Sequence, residues 1–143
     1  MVLTAKDILE KSFLSLRAET SAFEAAQLMK TSHHGFVVIV DEKDKPIGIV
    51  TEWDYLSKVV GEGKDASRLK LADLMSTDLV SVKPEEGLDS VAHIMSEKGV
   101  RRLLVIQNGE VIGVVTARTL LSRLREHVDR VSSQIARLQA PKL

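Results

Sequence analysis

Ile47-Gly48-Ile49-Val50-Thr51 returns 65 residues later as Ile112-Gly113-Val114-Val115-Thr116. Upstream, the match continues at an offset of 66. Ala5-Lys6-Asp7-Ile8-Leu9 falls on Leu71-Ala72-Asp73-Leu74-Met75, and Ser15-Leu16-Arg17-Ala18-Glu19 falls on Ser81-Val82-Lys83-Pro84-Glu85. Val37-Val38-Ile39-Val40 likewise falls on Leu103-Leu104-Val105-Ile106. Self-similarity at a fixed period means a duplicated unit. Halves of about 60 residues bury too little surface to be stable alone, so the two are expected to pack together.

Each half carries the same signals in the same order. A short helical turn leads into a brief strand, Leu14–Arg17 in one half and Leu79–Lys83 in the other. An amphipathic helix follows, with apolar Ala22, Ala25, Ala26, Leu28 and Met29, then Leu88, Val91, Ala92, Ile94 and Met95. Gly99 stands where a left-handed residue ends the second of these helices. The continuous apolar runs Phe36–Val40 and Leu103–Ile106 read as strands buried on both faces. Asn108-Gly109 is a hairpin signal, because both central residues of that turn need positive φ. Thr51 and Thr116 stand at the N-cap of closing helices. The order β-α-β-β-α, twice, is an α+β fold. It divides into a first repeat over 1–60, a linker over 61–70, a second repeat over 71–124 and a helical extension over 125–143.

The extension has no Gly or Pro between Val114 and Ala140. Its apolar residues Leu121, Leu124, Val128, Val131, Ile135 and Leu138 step alternately by three and four, a heptad seam. Such a helix must bury its stripe on its own module, on the first short helix, or on a second copy of the chain. Residues 117–143 also hold six basic side chains (Arg118, Arg123, Arg125, Arg130, Arg137, Lys142) against two acidic ones (Glu126, Asp129). The apolar face carries no aromatic residue, which argues against a membrane-surface helix.

Composition removes several classes of function. The 143 residues carry 20 Lys+Arg and 20 Asp+Glu, so the basic excess that phosphate backbones demand is missing. Aromatics at 3% give no base-stacking platform. Without cysteine there is neither a disulfide framework nor a thiolate zinc site. Neighbouring His33 and His34 point apart, with no third ligand at useful spacing. Gly61-Glu62-Gly63-Lys64 fails as a phosphate loop, since Lys58 holds its first Gly position and Asp65 its Ser/Thr position. No nucleophile motif occurs, and the expectation is a non-enzymatic, cytoplasmic protein that binds neither nucleic acid nor membrane.

The repeat resembles a tandem pair of CBS domains, a Bateman module. The likeness rests on Asp73-Leu74-Met75, on Val80-Ser81-Val82-Lys83-Pro84-Glu85, and above all on Gly48-Ile49-Val50-Thr51-Glu52-Trp53-Asp54. It implies two repeats packed about a pseudo-two-fold axis with an extended C-terminal helix. It further implies an adenosine-containing effector (AMP, ADP, ATP or an S-adenosyl compound) in the cleft between repeats, with no required cofactor and no metal. By the same likeness Asp54 accepts bonds from ribose hydroxyls and Thr51 holds phosphate, though both could simply serve the helix start. A carboxylate accepts two hydroxyl donors at once, and a helix N-terminus favours an anion. Arg101 and Arg102 before the buried strand are the preferred phosphate anchors over His34, because a guanidinium binds phosphate bidentately.

Adenine is expected against the short first strand, near Leu16 or Val82. In the second half Thr119 replaces the ribose-binding Asp, so one good site and one weak site are expected. Thr116 and Arg118 mark the weaker one. The likeness also implies a homodimer that signals to a separate regulated protein. The alternative is an adaptor with a decayed nucleotide site that docks a partner through its C-terminal helix.

Overall fold

The structure, a computed structural model, describes residues 2–139. Two three-stranded sheets form its centre, one per repeat. In the first, β1 (Leu14–Arg17) runs parallel to β2 (Phe36–Val40), and β2 pairs antiparallel with β3 (Pro46–Thr51). The second repeats this with β4 (Ser81–Val82), β5 (Arg102–Gln107) and β6 (Glu110–Thr116). The strand expected over Leu79–Lys83 shrinks to two residues, because only Ser81 and Val82 find ladder partners on β5. Asn108 and Gly109 both take positive φ, as the hairpin turn requires.

Alternation along the central strands builds three cores. Val37 and Ile39 of β2 face the first repeat's own helices, while Phe36, Val38 and Val40 face the other sheet. In β5, Leu103 and Val105 turn inward to their own repeat and Leu104 turns to the shared face. Helix α2 (Ala22–Ser32) covers the first sheet and α5 (Leu88–Lys98) covers the second. The two α+β repeats therefore close on each other through a third, inter-repeat core.

The short leading helices are exchanged. Helix α1 (Ala5–Ile8) opens the first repeat in sequence, yet Ala5 and Ile8 lie in the second repeat's core. Helix α4 (Leu71–Leu74) opens the second repeat, yet Leu71 and Leu74 lie in the first repeat's core. The amides at each helix start, which have no partner within the helix, are met by carbonyls of the host repeat. Ala5 and Lys6 donate to Glu86 and Pro84 at 2.8 and 2.9 Å, and Leu71 and Ala72 donate to Thr20 and Ala18 at 2.9 Å each. A sequence boundary at residue 71 therefore cuts through a core.

The exchange also accounts for the repeated glycine. The chain after each short helix crosses the partner repeat's last strand as an antiparallel bridge, Ser76 to Ile49 and Glu10 to Val114. A Cβ on Gly48 would stand 3.1 Å from the Ser76 carbonyl oxygen, and one on Gly113 would stand 2.9 Å from that of Glu10. Both glycines are there for close backbone approach.

The closing helices differ. Helix α3 (Glu52–Tyr55) runs one turn and widens into a π-helical segment, Leu56–Val60. Helix α6 (Ala117–Gln139) runs 23 residues. Its first turns dock through buried Leu120 and through Arg123, whose guanidinium donates to the Asp7 carbonyl at 3.0 Å. Beyond them Leu124, Val128, Val131, Ile135 and Leu138 are exposed. Residues 140–143, including Lys142 of the basic run, lie outside the described residues.

Candidate functional site

A cavity of about 630 Å³ opens between the repeats. The first repeat supplies Ile49 and Thr51 from β3, then Glu52, Trp53 and Leu56 from the helix that follows. The second supplies Asp78-Leu79-Val80, ahead of β4, and Gly99-Val100-Arg101-Arg102, ahead of and entering β5, with Leu104 behind them. The floor is apolar. The charged groups are two guanidiniums, Arg101 and Arg102, and two carboxylates, Glu52 and Asp78.

Three of the residues singled out from sequence meet here: Thr51, Arg101 and Arg102. Thr51 comes at the end of β3, where extended backbone turns into α3, so its hydroxyl stands at the cavity wall. Arg102 is held on both sides. Its guanidinium lies 3.2 Å from Glu52 Oε1 and 5.0 Å above the Phe36 ring, a cation–π distance.

Asp54 does not line the cavity. It is 9% exposed, the one charged residue among the buried side chains described. Its Oδ2 accepts the Thr51 amide at 2.8 Å and the Thr51 hydroxyl at 3.4 Å. Its Oδ1 lies 3.0 Å from the Lys58 ammonium, which also donates to the Leu74 carbonyl at 2.7 Å. A carboxylate at the third helical position reaches back to the N-cap amide, and that local geometry accounts for the contacts Asp54 makes here. In this arrangement Asp54 fixes Thr51 and ties α3 to the exchanged α4.

Leu16 and Val82 also turn away. Leu16 pairs with Ile39 and Val82 with Val105, and residues paired across a ladder share a face. Each therefore enters its own repeat's core, and the apolar wall of the cavity comes from Leu79 and Val80 one step earlier.

Thr116 and Arg118 are the counterparts of Thr51 and Trp53 in the second repeat, and neither lines this cavity. There Thr119 Oγ1 accepts the Thr116 amide at 3.2 Å, a neutral replacement for the Asp54 contact. His34, the mate of Val100, turns its Nε2 to the Ser12 carbonyl at 3.0 Å and leans edge-on against Phe36, the mate of Arg102. An imidazole and a phenyl ring thus occupy the positions that hold Val100 and Arg102 in the open cavity.

Sequence reasoning gave no site role to Glu52, Asp78 or Leu79, nor to Trp53, which is 68% exposed at the rim. The alternation that sends Val82 inward could have flagged Leu79. Nothing in the sequence marks Glu52, a variable position between Thr and Asp.

Tyr55 locks the helix behind the site by donating its hydroxyl to the Ala22 carbonyl at 2.7 Å. Burial pushes this phenol up to about 12. A folded-state value above the unfolded value of about 10 gives stability that is complete below pH 10 and lost as pH rises towards 12. Melting temperature should fall over that interval, and Tyr55→Phe should remove the part of the fall that tracks phenolate absorbance. The chain has a single tyrosine, so the absorbance change reports this residue alone. An unchanged pH profile in Tyr55→Phe would show that the phenol contributes nothing there.

Comparison with known proteins agrees with this architecture. An uncharacterized protein of Methanopyrus kandleri is 40% identical over 71% of this chain and 52% of its own length. The chain spans only 18% and 64% of the next two curated relatives. Among solved structures, a hexameric CBS-CP12 protein from bloom-forming cyanobacteria is 30% identical with a TM-score of 0.79, over 85% of this chain and 67% of that one. The CBS domain pair of protein MJ0100, in complex with 5′-methylthioadenosine and S-adenosyl-L-methionine, is 28% identical. Its TM-score is 0.77, over 89% of this chain and 98% of that one. No helix among the described residues is long and apolar enough to cross a membrane. The CBS domain pattern matches residues 5–61 and again 71–126, and with that duplicated match the chain belongs to the CBS domain family.

Proposed function

We propose that the protein is a non-enzymatic sensing module that binds an adenosine-containing ligand in the inter-repeat cavity and passes the change to a partner. The observation that carries the reading is the cavity itself, built from both repeats and lined by Thr51, Arg101, Arg102 and an apolar wall. The ligands of the MJ0100 domain pair support the adenosine class. An adenine ring would lie against Leu79, Val80 and Val100. A ribose hydroxyl would meet the Thr51 hydroxyl, which Asp54 holds in place from behind. A ligand touching both repeats shifts the population of their arrangements by its differential affinity for each.

The same reading assigns a second copy of the chain to the exposed stripe of α6. Leu121, Val128 and Ile135 share one seam position and Leu124, Val131 and Leu138 the other, and four of these six follow the β-branched and Leu choice that favours two-stranded coiled coils.

One set of experiments on the full chain tests both parts. Titration with 5′-methylthioadenosine, S-adenosylmethionine, AMP and ATP should give a saturable change in Trp53 fluorescence with at least one of them. Thr51→Val should weaken that ligand about threefold to tenfold, the effect of one neutral hydrogen bond of about 0.5–1.5 kcal/mol. Sedimentation should give a dimer at micromolar concentration. Silence with all four compounds would overturn the ligand assignment, and a monodisperse monomer would overturn the assignment of the stripe.

A further inference from the structure

Glu52 and Gly35 form a device that the adenosine reading leaves unused. The Glu52 carboxylate crosses from the first repeat to Arg102 of the second, 3.2 Å from its Nη2. On the way it lies directly over the Cα of Gly35. A Cβ added there would collide with Glu52 Oε1 and stand 3.1 Å from Arg102 Nη2. Gly35 does not adopt positive φ, so its backbone conformation does not require glycine. The space a side chain would take there is filled by the carboxylate. The Gly35 carbonyl also accepts the Glu52 amide at 3.0 Å, which fixes the start of the side chain. Phe36 holds the guanidinium from its other face.

We infer that Glu52 is a built-in anion which occupies Arg102 and selects against ligands bearing a phosphate chain. The inference rests on the adenosine reading and narrows it, to adenosine compounds that carry an uncharged or cationic group, such as a thioether or a sulfonium, at the 5′ position. A phosphate reaching Arg102 must displace Glu52 and then lie beside a carboxylate that has lost its partner. Asp78 on the opposite wall adds a second negative charge, so the acidic lining residues cancel Arg101 and Arg102. An uncharged thioether pays neither penalty, and a sulfonium is attracted to the same carboxylates.

Calorimetric titration of the full chain with 5′-methylthioadenosine and with ATP, at one fixed salt concentration, reads the selectivity as a ratio of affinities. The wild-type chain should favour 5′-methylthioadenosine. Glu52 is 71% exposed on its side chain, and exposed pairs are worth up to about 1 kcal/mol, a factor of about five. Glu52→Gln should therefore shift the ratio towards ATP by about fivefold. Gly35→Ala should shift it the same way, because the added methyl evicts the carboxylate without removing it. Binding with a ratio unchanged in both variants would overturn the inference and leave the adenosine reading standing. No heat with 5′-methylthioadenosine in any of the three chains would overturn the inference, and silence with all four adenosine compounds would overturn the adenosine reading with it.

Discussion

Leu71→Ala is expected to cost about 2–5 kcal/mol and to loosen the first repeat, although residue 71 opens the second in sequence. Leu71 is 0% exposed and sits with Ala22, Ala25, Val37, Ile39 and Val50 in the first repeat's core. Shortening it leaves a void that close-packed neighbours on three elements cannot collapse into. A domain of this size has about 5–15 kcal/mol in total, so the loss is a large share. Hydrogen exchange locates the effect. Protection should fall in α2 and β2 more than in α5 and β5. Ile8→Ala, in the second repeat's core, should give the mirror-image pattern. Loss confined to each residue's own sequence repeat would refute the exchange.

Gly113→Ala is expected to cost about 1–3 kcal/mol, the usual penalty for overpacking. The new methyl would stand 2.9 Å from the Glu10 carbonyl oxygen. That segment cannot retreat freely, because Glu10 and Val114 exchange two backbone bonds, at 2.8 and 3.0 Å. Gly48→Ala should cost less. Its nearest obstacle is the Met75 sulfur at 2.7 Å, the mobile end of a flexible side chain, and the backbone oxygen of Ser76 is farther, at 3.1 Å. Urea midpoints of the two variants give the comparison. Equal midpoints, or Gly48→Ala the less stable, would mean that backbone contact is not what these glycines serve.

Much of this was legible along the chain. The offsets of 66 and 65 gave two like units, and the continuous apolar runs at Phe36–Val40 and Leu103–Ile106 gave their central strands. Asn108-Gly109 gave a hairpin and Gly99 a helix stop, since those residues answer to local φ. The position before a buried strand pointed to Arg101 and Arg102, and both line the cavity. The resemblance to CBS domains assigned Asp54 to a ribose, on the motif that runs from Thr51 to Asp54. That spacing also serves a helix cap, and the cap amide and Lys58 hold the carboxylate. By the resemblance adenine lies near Leu16 or Val82, where backbone groups can read its edge, while their side chains enter their own repeats' cores because a strand residue's face depends on its ladder partner.

By itself the sequence determined the duplication, the order of strands and helices and the positions where the backbone must turn, because these follow from residue periodicity and φ preference over a few neighbours. Which repeat receives α1 and α4, why Gly48 and Gly113 lack side chains, and how Glu52 reaches Arg102 over Gly35 were decided only by tertiary structure. Glu52 and Arg102 stand 50 positions apart, and Gly113 meets Glu10 across 103. Their energy comes from burial and close approach across the pseudo-two-fold axis, and no local pattern encodes such a distance.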